Sequence, residues 1–299
     1  MKYHTLEEAV KGACGEGIHI AEGKAVYGGD INRAYRLTLS DGSYIFMKCN
    51  NIKNFSFFKA EEEGLRALRA AKAIGVPKVL ALGTDKKRGI SFLLMEYINS
   101  GLRVKDYSET FGRELAMLHR AKTAEFVSEN GELSFGFYAD NYIGASPQKN
   151  TPKSSWAEFF RDCRLLPQME RAEKKLGAEF KRKCEKLLDK SERLLPEPEF
   201  PSLLHGDLWS GNSICGSDGK AWIFDPAVYV GNFEAELAMT ELFGRLPNSF
   251  YGAYNEINHI DPGYEERKDL YNLYHLLNHL NLFGSSYFEP VRQVINRYV

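Results

Sequence analysis

"LLHGDLWSGN", residues 203–212, gathers a histidine, an acid, an amide, a tryptophan and two glycines into ten positions. Nothing in it is long enough to be a helix. Asp207 and Asn212 stand five apart, an Asp-x-x-x-x-Asn spacing that puts a carboxylate and an amide on one tight loop. Such a loop serves phosphoryl transfer, which needs a carboxylate at the attacking hydroxyl and hard oxygen ligands for Mg²⁺. It also serves as an ordinary surface turn, with Asp207 capping and Asn212 in a left-handed conformation. The rest of the chain has to decide between these.

Working outward, "AWIFDP" ends at Asp225 after a predicted hairpin that pairs Ser213–Cys215 with Ala221–Asp225 across Ser217-Asp218-Gly219. Asp225 is then expected beside Asn212, completing a metal site. Far upstream, "YIFMKC" alternates so that Tyr44, Phe46 and Lys48 share one face of a strand while Ile45, Met47 and Cys49 share the other. A lysine among so many apolar neighbours either snorkels at a strand end or is held for a partner. In the triple acid 61–63, Glu61 falls on the stripe of Leu65 and Leu68 at i, i+4 and i+7, whereas Glu62 faces Arg66 as a surface pair. An inward glutamate on the helix after a lysine strand is what a Lys–Glu phosphate clamp requires.

The first hundred residues read β-β-β-α-β-β behind a small helix at Leu6–Ala13. Residues 33–39 and 44–49 flank the hairpin signal Asp41-Gly42, and a helix over 57–72 is followed by strands at 79–82 and 92–98. Gly28 and Gly29 lie in the first interstrand link, where backbone amides can approach a ligand closely. After Gly101 long helices take over, at 106–121, 155–175, 178–194, 233–243 and 265–283. The expectation is an α+β chain in two parts. Residues 1–99 form a small antiparallel-sheet lobe with one main helix, and residues 100–299 a larger, mostly helical lobe.

Composition narrows the partners. With 39 basic and 40 acidic residues the net charge is -1, so no global field favours nucleic acid or an anionic membrane. No run of about 18 apolar residues occurs, so no transmembrane helix is expected. The N-terminal stretch lacks an apolar run of signal-peptide length. Five scattered cysteines form no Cys-x-x-Cys pair, and reduced thiols in a cytoplasmic protein are expected. His205 has no second histidine at ligand spacing, the nearest being His119 and His259, so its ring is expected to hold the loop. His275 and His279 sit at i, i+4, but among Leu273, Leu276, Leu277 and Leu280 they read as a packed helix rather than a zinc pair.

The order of glycine turn, strand lysine, helix glutamate, Asp-x-x-x-x-Asn loop and second aspartate resembles the protein-kinase-like phosphotransferases. "HGD" stands where protein kinases have His-Arg-Asp, and "FDP" where they have Asp-Phe-Gly, as in aminoglycoside phosphotransferases and choline kinases. Over almost its whole length the chain is similar to the fructosamine-3-kinase, or ketosamine-3-kinase, family. The matching stretches include "FFKAEEEGLRAL", "FGRELAMLHR", "FGFYADNYIGASPQKN", "LLHGDLWSGN", "FDPAVYVGNFEAELAMTELFG" and "DPGYEERKDLYNLYHLLNHLNLFG".

That resemblance implies an ATP-dependent kinase acting on the sugar 3-hydroxyl of a ketosamine, such as a fructosamine, ribulosamine or erythrulosamine on glycated lysine, in protein deglycation repair. It implies Asp207 as base or hydroxyl-orienting group, Asn212 and Asp225 as Mg²⁺ ligands, and Lys48 on the phosphates oriented by Glu61. It also implies Met95, Glu96 and Tyr97 as the hinge at the adenine edge. Trp209 either stacks on the substrate or anchors the loop. Glu236 braces the metal loop or its own helix. Some members of that family carry a redox-switching cysteine in the glycine turn; here the turn is "GGDIN", so no such switch is expected. Two other readings remain: an aminoglycoside- or choline-type phosphotransferase, and a nucleotide-binding pseudokinase module, against which all five site residues are intact. The sequence does not give the preferred sugar or the oligomeric state, for which a monomer is the default.

Overall fold

The computed structural model describes residues 2–26, 32–128 and 132–299. Gly28 and Gly29 fall outside the described residues. Contacts divide the chain into two compact units, residues 1–104 with 214–225, and residues 105–213 with 226–299.

Unit 1 begins with β1 (Lys2–Tyr3), α1 (Leu6–Cys14), β2 (Ile20–Val26), β3 (Arg33–Leu39) and β4 (Tyr44–Asn51), and continues with α2 (Phe55–Ala70), β5 (Val79–Asp85) and β6 (Ile90–Glu96). The strands form one six-stranded sheet in the order β1-β5-β6-β4-β3-β2. All neighbours are antiparallel except β1, which adds to β5 in parallel and makes the sheet mixed. Two residues carry too little pattern for β1 to be read from sequence. The period-2 reading of β4 holds: Ile45, Met47 and Cys49 join Phe92 and Leu94 of β6 and Leu6, Ala9 and Val10 of α1 in one core. Lys48 therefore projects from the opposite face, towards α2, whose apolar stripe Phe58, Leu65 and Leu68 is buried. Glu62 pairs with Arg66 at 2.8 Å, as a surface i, i+4 pair.

The helical unit opens with α3 (Tyr107–His119), α4 (Ala124–Val127), the hairpin β7 (Asn141–Ile143) and β8 (Ser146–Gln148), α5 (Trp156–Phe160), α6 (Leu166–Asp189) and α7 (Ser191–Leu194). Next come β9 (Ser202–Leu204), then the hairpin β10 (Ser213–Cys215) and β11 (Ala221–Ile223), which belongs to unit 1, and β12 (Tyr229–Gly231), again in unit 2. The last helices are α8 (Phe233–Leu242), α9 (Asn248–Asn255), α10 (Tyr264–Phe283) and α11 (Phe288–Tyr298). The expected break between 175 and 178 is present inside α6, where Gly177 has φ 79 and ψ 172. A π-helical turn over 161–165 joins α5 to α6. Pro167 has no N–H to give the Cys163 carbonyl, and the guanidinium of the fully buried Arg164 takes that carbonyl instead, at 3.0 Å. Among the described residues no helix is long and apolar enough to cross a membrane.

Candidate active site

In unit 1, the ammonium of Lys48 lies between two carboxylates. Its Nζ donates to Glu61 Oε1 at 2.5 Å and to Asp225 Oδ1. Strand β4 supplies the lysine, helix α2 the glutamate, and the β10–β11 hairpin the aspartate. The hairpin is tied into this unit by the Ile223 N–H on the Gly75 carbonyl, at 2.9 Å, and by the Gly101 N–H on the Cys215 carbonyl, also at 2.9 Å. β11 ends at Ile223, and Asp225 follows it with φ 60, a left-handed conformation that aspartate tolerates better than most residues. Burial opposes the charge on Lys48, but Asp225 and Glu61 outweigh it and raise its pKa above the ordinary lysine value. Burial of Glu61, with the Asp225 charge nearby, raises the glutamate's pKa despite Lys48. The side chains of Lys48 and Glu61 are 8 % and 12 % exposed, and that of Asp225 is 41 % exposed. A fixed cation thus sits with one carboxylate behind it and another open to a ligand.

The proposed hinge is less free than the sequence suggests. Met95 lies in the ladder with strands on both sides, opposite Phe46 and Val79, so its backbone groups have sheet neighbours. The Glu96 N–H is taken by the Lys78 carbonyl at 2.9 Å, and the Glu96 carboxylate accepts the Lys78 N–H at 3.1 Å. Tyr97 lies beyond the end of β6, its ring 5.9 Å from that of Tyr44.

In unit 2, β9 pairs with β12 and delivers the chain into the His205–Asn212 loop. Gly206 is required twice over: its φ is +82, and a Cβ there would stand 2.1 Å from the Ala227 carbonyl oxygen. His205 is fully buried, and its Nδ1 accepts the Asp207 N–H at 3.3 Å, so the ring holds the loop. Asn212, in a 3₁₀ turn, donates Nδ2 to the Asp207 carbonyl at 2.8 Å and to Asp207 Oδ2 at 3.2 Å. Those bonds engage the amide nitrogen and leave the amide oxygen outside them. Asn212 and Asp225 thus both offer hard oxygen donors, the donor type that suits Mg²⁺. The Trp209 indole lies over Gly211, where a Cβ would come within 2.2 Å of the ring, and meets Phe243 edge-on at 6.3 Å. It is nevertheless 38 % exposed.

Glu236 of α8 braces this loop. Its carboxylate accepts the backbone N–H of His205 at 3.1 Å and of Gly206 at 2.7 Å, and lies 2.9 Å from His119 Nε2. His119 Nδ1 in turn meets the Tyr254 hydroxyl at 2.7 Å. Burial alone would raise the Glu236 pKa, but the His119 contact and the loop N–H lower it below the ordinary carboxylate value. The sequence reading gave His119 no role, since nothing local pairs it with a residue 117 positions away.

Gln148, in the "PQKN" stretch, likewise carries no local signal of its role. It donates to the Ala227 carbonyl at 2.9 Å and accepts from the Tyr274 hydroxyl at 2.5 Å. Asn141 holds the next carbonyl, that of Val228, at 2.7 Å. Together they clamp the segment that packs against Gly206. Arg164 anchors the same stretch through the Lys149 carbonyl at 2.6 Å and Asn150 Oδ1 at 2.8 Å. His275 and His279 are part of α10, and among the described residues no group of three or more His, Cys, Asp or Glu side chains is placed to hold a metal ion.

The mixed-sheet unit with its buried lysine–glutamate pair, followed by the helical unit with its Asp-x-x-x-x-Asn loop, is a protein-kinase-like phosphotransferase fold. A family model described as fructosamine kinase matches residues 2–299. The chain belongs to the fructosamine kinase family. It is 38% identical over 296 residues to a Synechocystis protein described as a probable ketoamine kinase, covering 99% of this chain and 96% of that one. It is 39% identical to the chloroplastic protein-ribulosamine 3-kinase of Oryza sativa subsp. indica, covering 94% of this chain and 82% of that one. Among solved structures, a Haemophilus somnus protein assigned provisionally as a fructosamine-3-kinase superposes with a TM-score of 0.86 at 29% identity, covering 99% of this chain and 97% of that one.

Proposed function

We propose that the protein transfers the γ-phosphoryl group of ATP to the 3-hydroxyl of a ketosamine, the sugar adduct of an amine such as a glycated lysine. The observation that carries this reading is the Lys48 ammonium fixed between Glu61 and Asp225. A buried cation with an open carboxylate beside it suits the phosphates of a metal–nucleotide complex. Family membership then selects the acceptor.

In this reading residues 1–99 bind the nucleotide and residues 100–299 bind the acceptor and carry the reaction. Lys48 contacts the α/β-phosphates, Glu61 orients it, and the Glu96 carbonyl with Met95 and Tyr97 borders the adenine. Asn212 and Asp225 hold Mg²⁺, which when bound neutralises charge on the phosphates. Asp207 accepts the hydrogen bond of the acceptor hydroxyl and takes its proton as the oxygen–phosphorus bond forms and the bond to ADP breaks. Trp209 lies against the sugar or its amine carrier. The biological setting is repair of glycated protein, consistent with a protein-ribulosamine 3-kinase among the relatives.

Phosphorus NMR of ATP reactions with fructosyl-lysine and ribulosyl-lysine tests the assignment, with an aminoglycoside and choline as controls. A new phosphomonoester on the ketosamine, formed in step with ADP, is expected. Phosphorylation of the controls alone overturns it.

A further inference from the structure

Trp209 is the first of a series of rings. It stands edge-on to Phe243 at 6.3 Å, Phe243 lies 4.7 Å from His279, and His279 lies 5.3 Å from Phe283 and 5.0 Å from Tyr287. Trp209 is 38 % and Phe283 52 % exposed, and the three rings between and beside them are half-buried. Burial lowers the His279 pKa below the ordinary histidine value, and its Nδ1 donates to the His275 carbonyl at 2.8 Å, so the central ring is neutral and fixed. Five adjoining rings thus form a strip of aromatic surface that starts two residues beyond Asp207. Exposed apolar strips of this kind on a soluble chain mark an interaction surface.

We infer that this strip receives the peptide flanking a ketosamine-bearing lysine, so that the protein favours peptide-borne over free ketosamines; the inference rests on the kinase reading above. A glycated lysine has its sugar at one end and its stem and backbone at the other. With the sugar hydroxyl at Asp207, the carrier leaves across the surface that Trp209 begins. The rings adjoin at 4.7–6.3 Å, so they offer a flanking chain one continuous apolar surface. Aromatic surface gives large contact area at low entropic cost and without demanding one partner sequence, which suits an enzyme whose targets share only the adduct. The adduct's amine stays basic, and rings near it add cation–π attraction. A free ketosamine amino acid has no flanking residues to lay on Phe283 and Tyr287.

The test compares kcat/KM for fructosyl-lysine within a short peptide and as the free compound, using the full-length chain. Wild type, Phe283→Ser, Tyr287→Ser and the ring-retaining Phe283→Tyr are measured, with the Tm of each as a check on folding. The peptide-to-free ratio is expected to fall about fivefold or more in both serine variants, through KM, and to persist in Phe283→Tyr. An unchanged ratio in folded serine variants, or a wild type that prefers the free compound, overturns the inference and leaves the kinase reading standing. So does wild-type self-association abolished by Phe283→Ser, which would give the strip to a second copy. A wild type that phosphorylates neither compound removes the kinase reading itself.

Discussion

The Glu236 carboxylate accepts the backbone N–H of Gly206 at 2.7 Å, one residue before Asp207. Its second oxygen serves His205 N–H and His119. Helix α8 therefore fixes the backbone from which Asp207 projects. Glutamine in its place keeps the shape but has only one acceptor, so a buried N–H loses its partner. Glu236→Gln is expected to cost about 1–3 kcal/mol of stability in denaturant titration. It should also lower kcat at least about tenfold, with a smaller effect on the KM for ATP. Unchanged kcat in a folded variant would show that the brace does not position Asp207.

Asp207→Asn separates binding from chemistry. The amide keeps the loop's size but is a poor proton acceptor, and the Lys48 cluster in the other unit is untouched. ATP binding measured by calorimetry is expected to persist while kcat falls about 10²–10⁴-fold. Near-wild-type turnover would remove Asp207 from its role.

The contact between Trp209 and Gly211 offers a way to move the indole without deleting it. Gly211→Ala places a methyl group where the ring now lies. If the indole contacts the acceptor, Gly211→Ala and Trp209→Ala should both raise the KM for a ketosamine several-fold and leave that for ATP nearly unchanged. If Trp209 only anchors the loop, both variants will instead lower Tm and kcat with no selective change in acceptor KM.

His275 is buried, its Nδ1 has no hydrogen-bond partner, and burial lowers its pKa to about 3. The unfolded chain therefore binds a proton there at a higher pH than the folded one. Stability from this group is present above the ordinary histidine pKa and is lost as pH falls below it. Between roughly pH 6 and 4 the loss approaches about 1.4 kcal/mol per pH unit. His275→Leu should flatten that part of the pH–stability curve in urea titrations, whatever its effect on absolute stability. An identical slope would show that the imidazole is not buried neutral.

All five cysteines are free, and burial raises the thiol pKa of Cys14, Cys49, Cys163 and Cys184, the last to about 11. Such thiols are poor nucleophiles near neutral pH. Activity and oligomer mass are expected to be the same with and without reductant. A reversible, disulfide-linked loss of activity would contradict this.

What could be read in the sequence follows the physics of each feature. The β3–β4 turn at Asp41-Gly42 and the two faces of β4 are local, and alternation alone put Lys48 on the face opposite Ile45, Met47 and Cys49. Helical spacing likewise turned Glu61 inward and Glu62 outward. The strands β7, β8, β9 and β12 are three residues each, too short for periodicity to register. Helices α9 and α11 also went unread, the first being a run of aromatics without a capping residue. The buried polar partners were beyond reach for another reason. Glu236 is legible as a brace, but its pairing with His119, like that of Gln148 with Ala227, joins distant segments, and neither His119 nor Gln148 looks unusual where it stands.

The first unit is not contiguous, because residues 214–225 belong to it although more than a hundred residues of the other unit precede them. During synthesis, Lys48 and Glu61 emerge long before Asp225. Until the hairpin arrives, the buried ammonium has only half its counter-charge, and Gly75 lacks its strand partner. An N-terminal fragment ending at residue 104 is therefore not a smaller version of this unit. The unit that carries Lys48 is completed only after most of the chain has been made, which places its final folding late in synthesis.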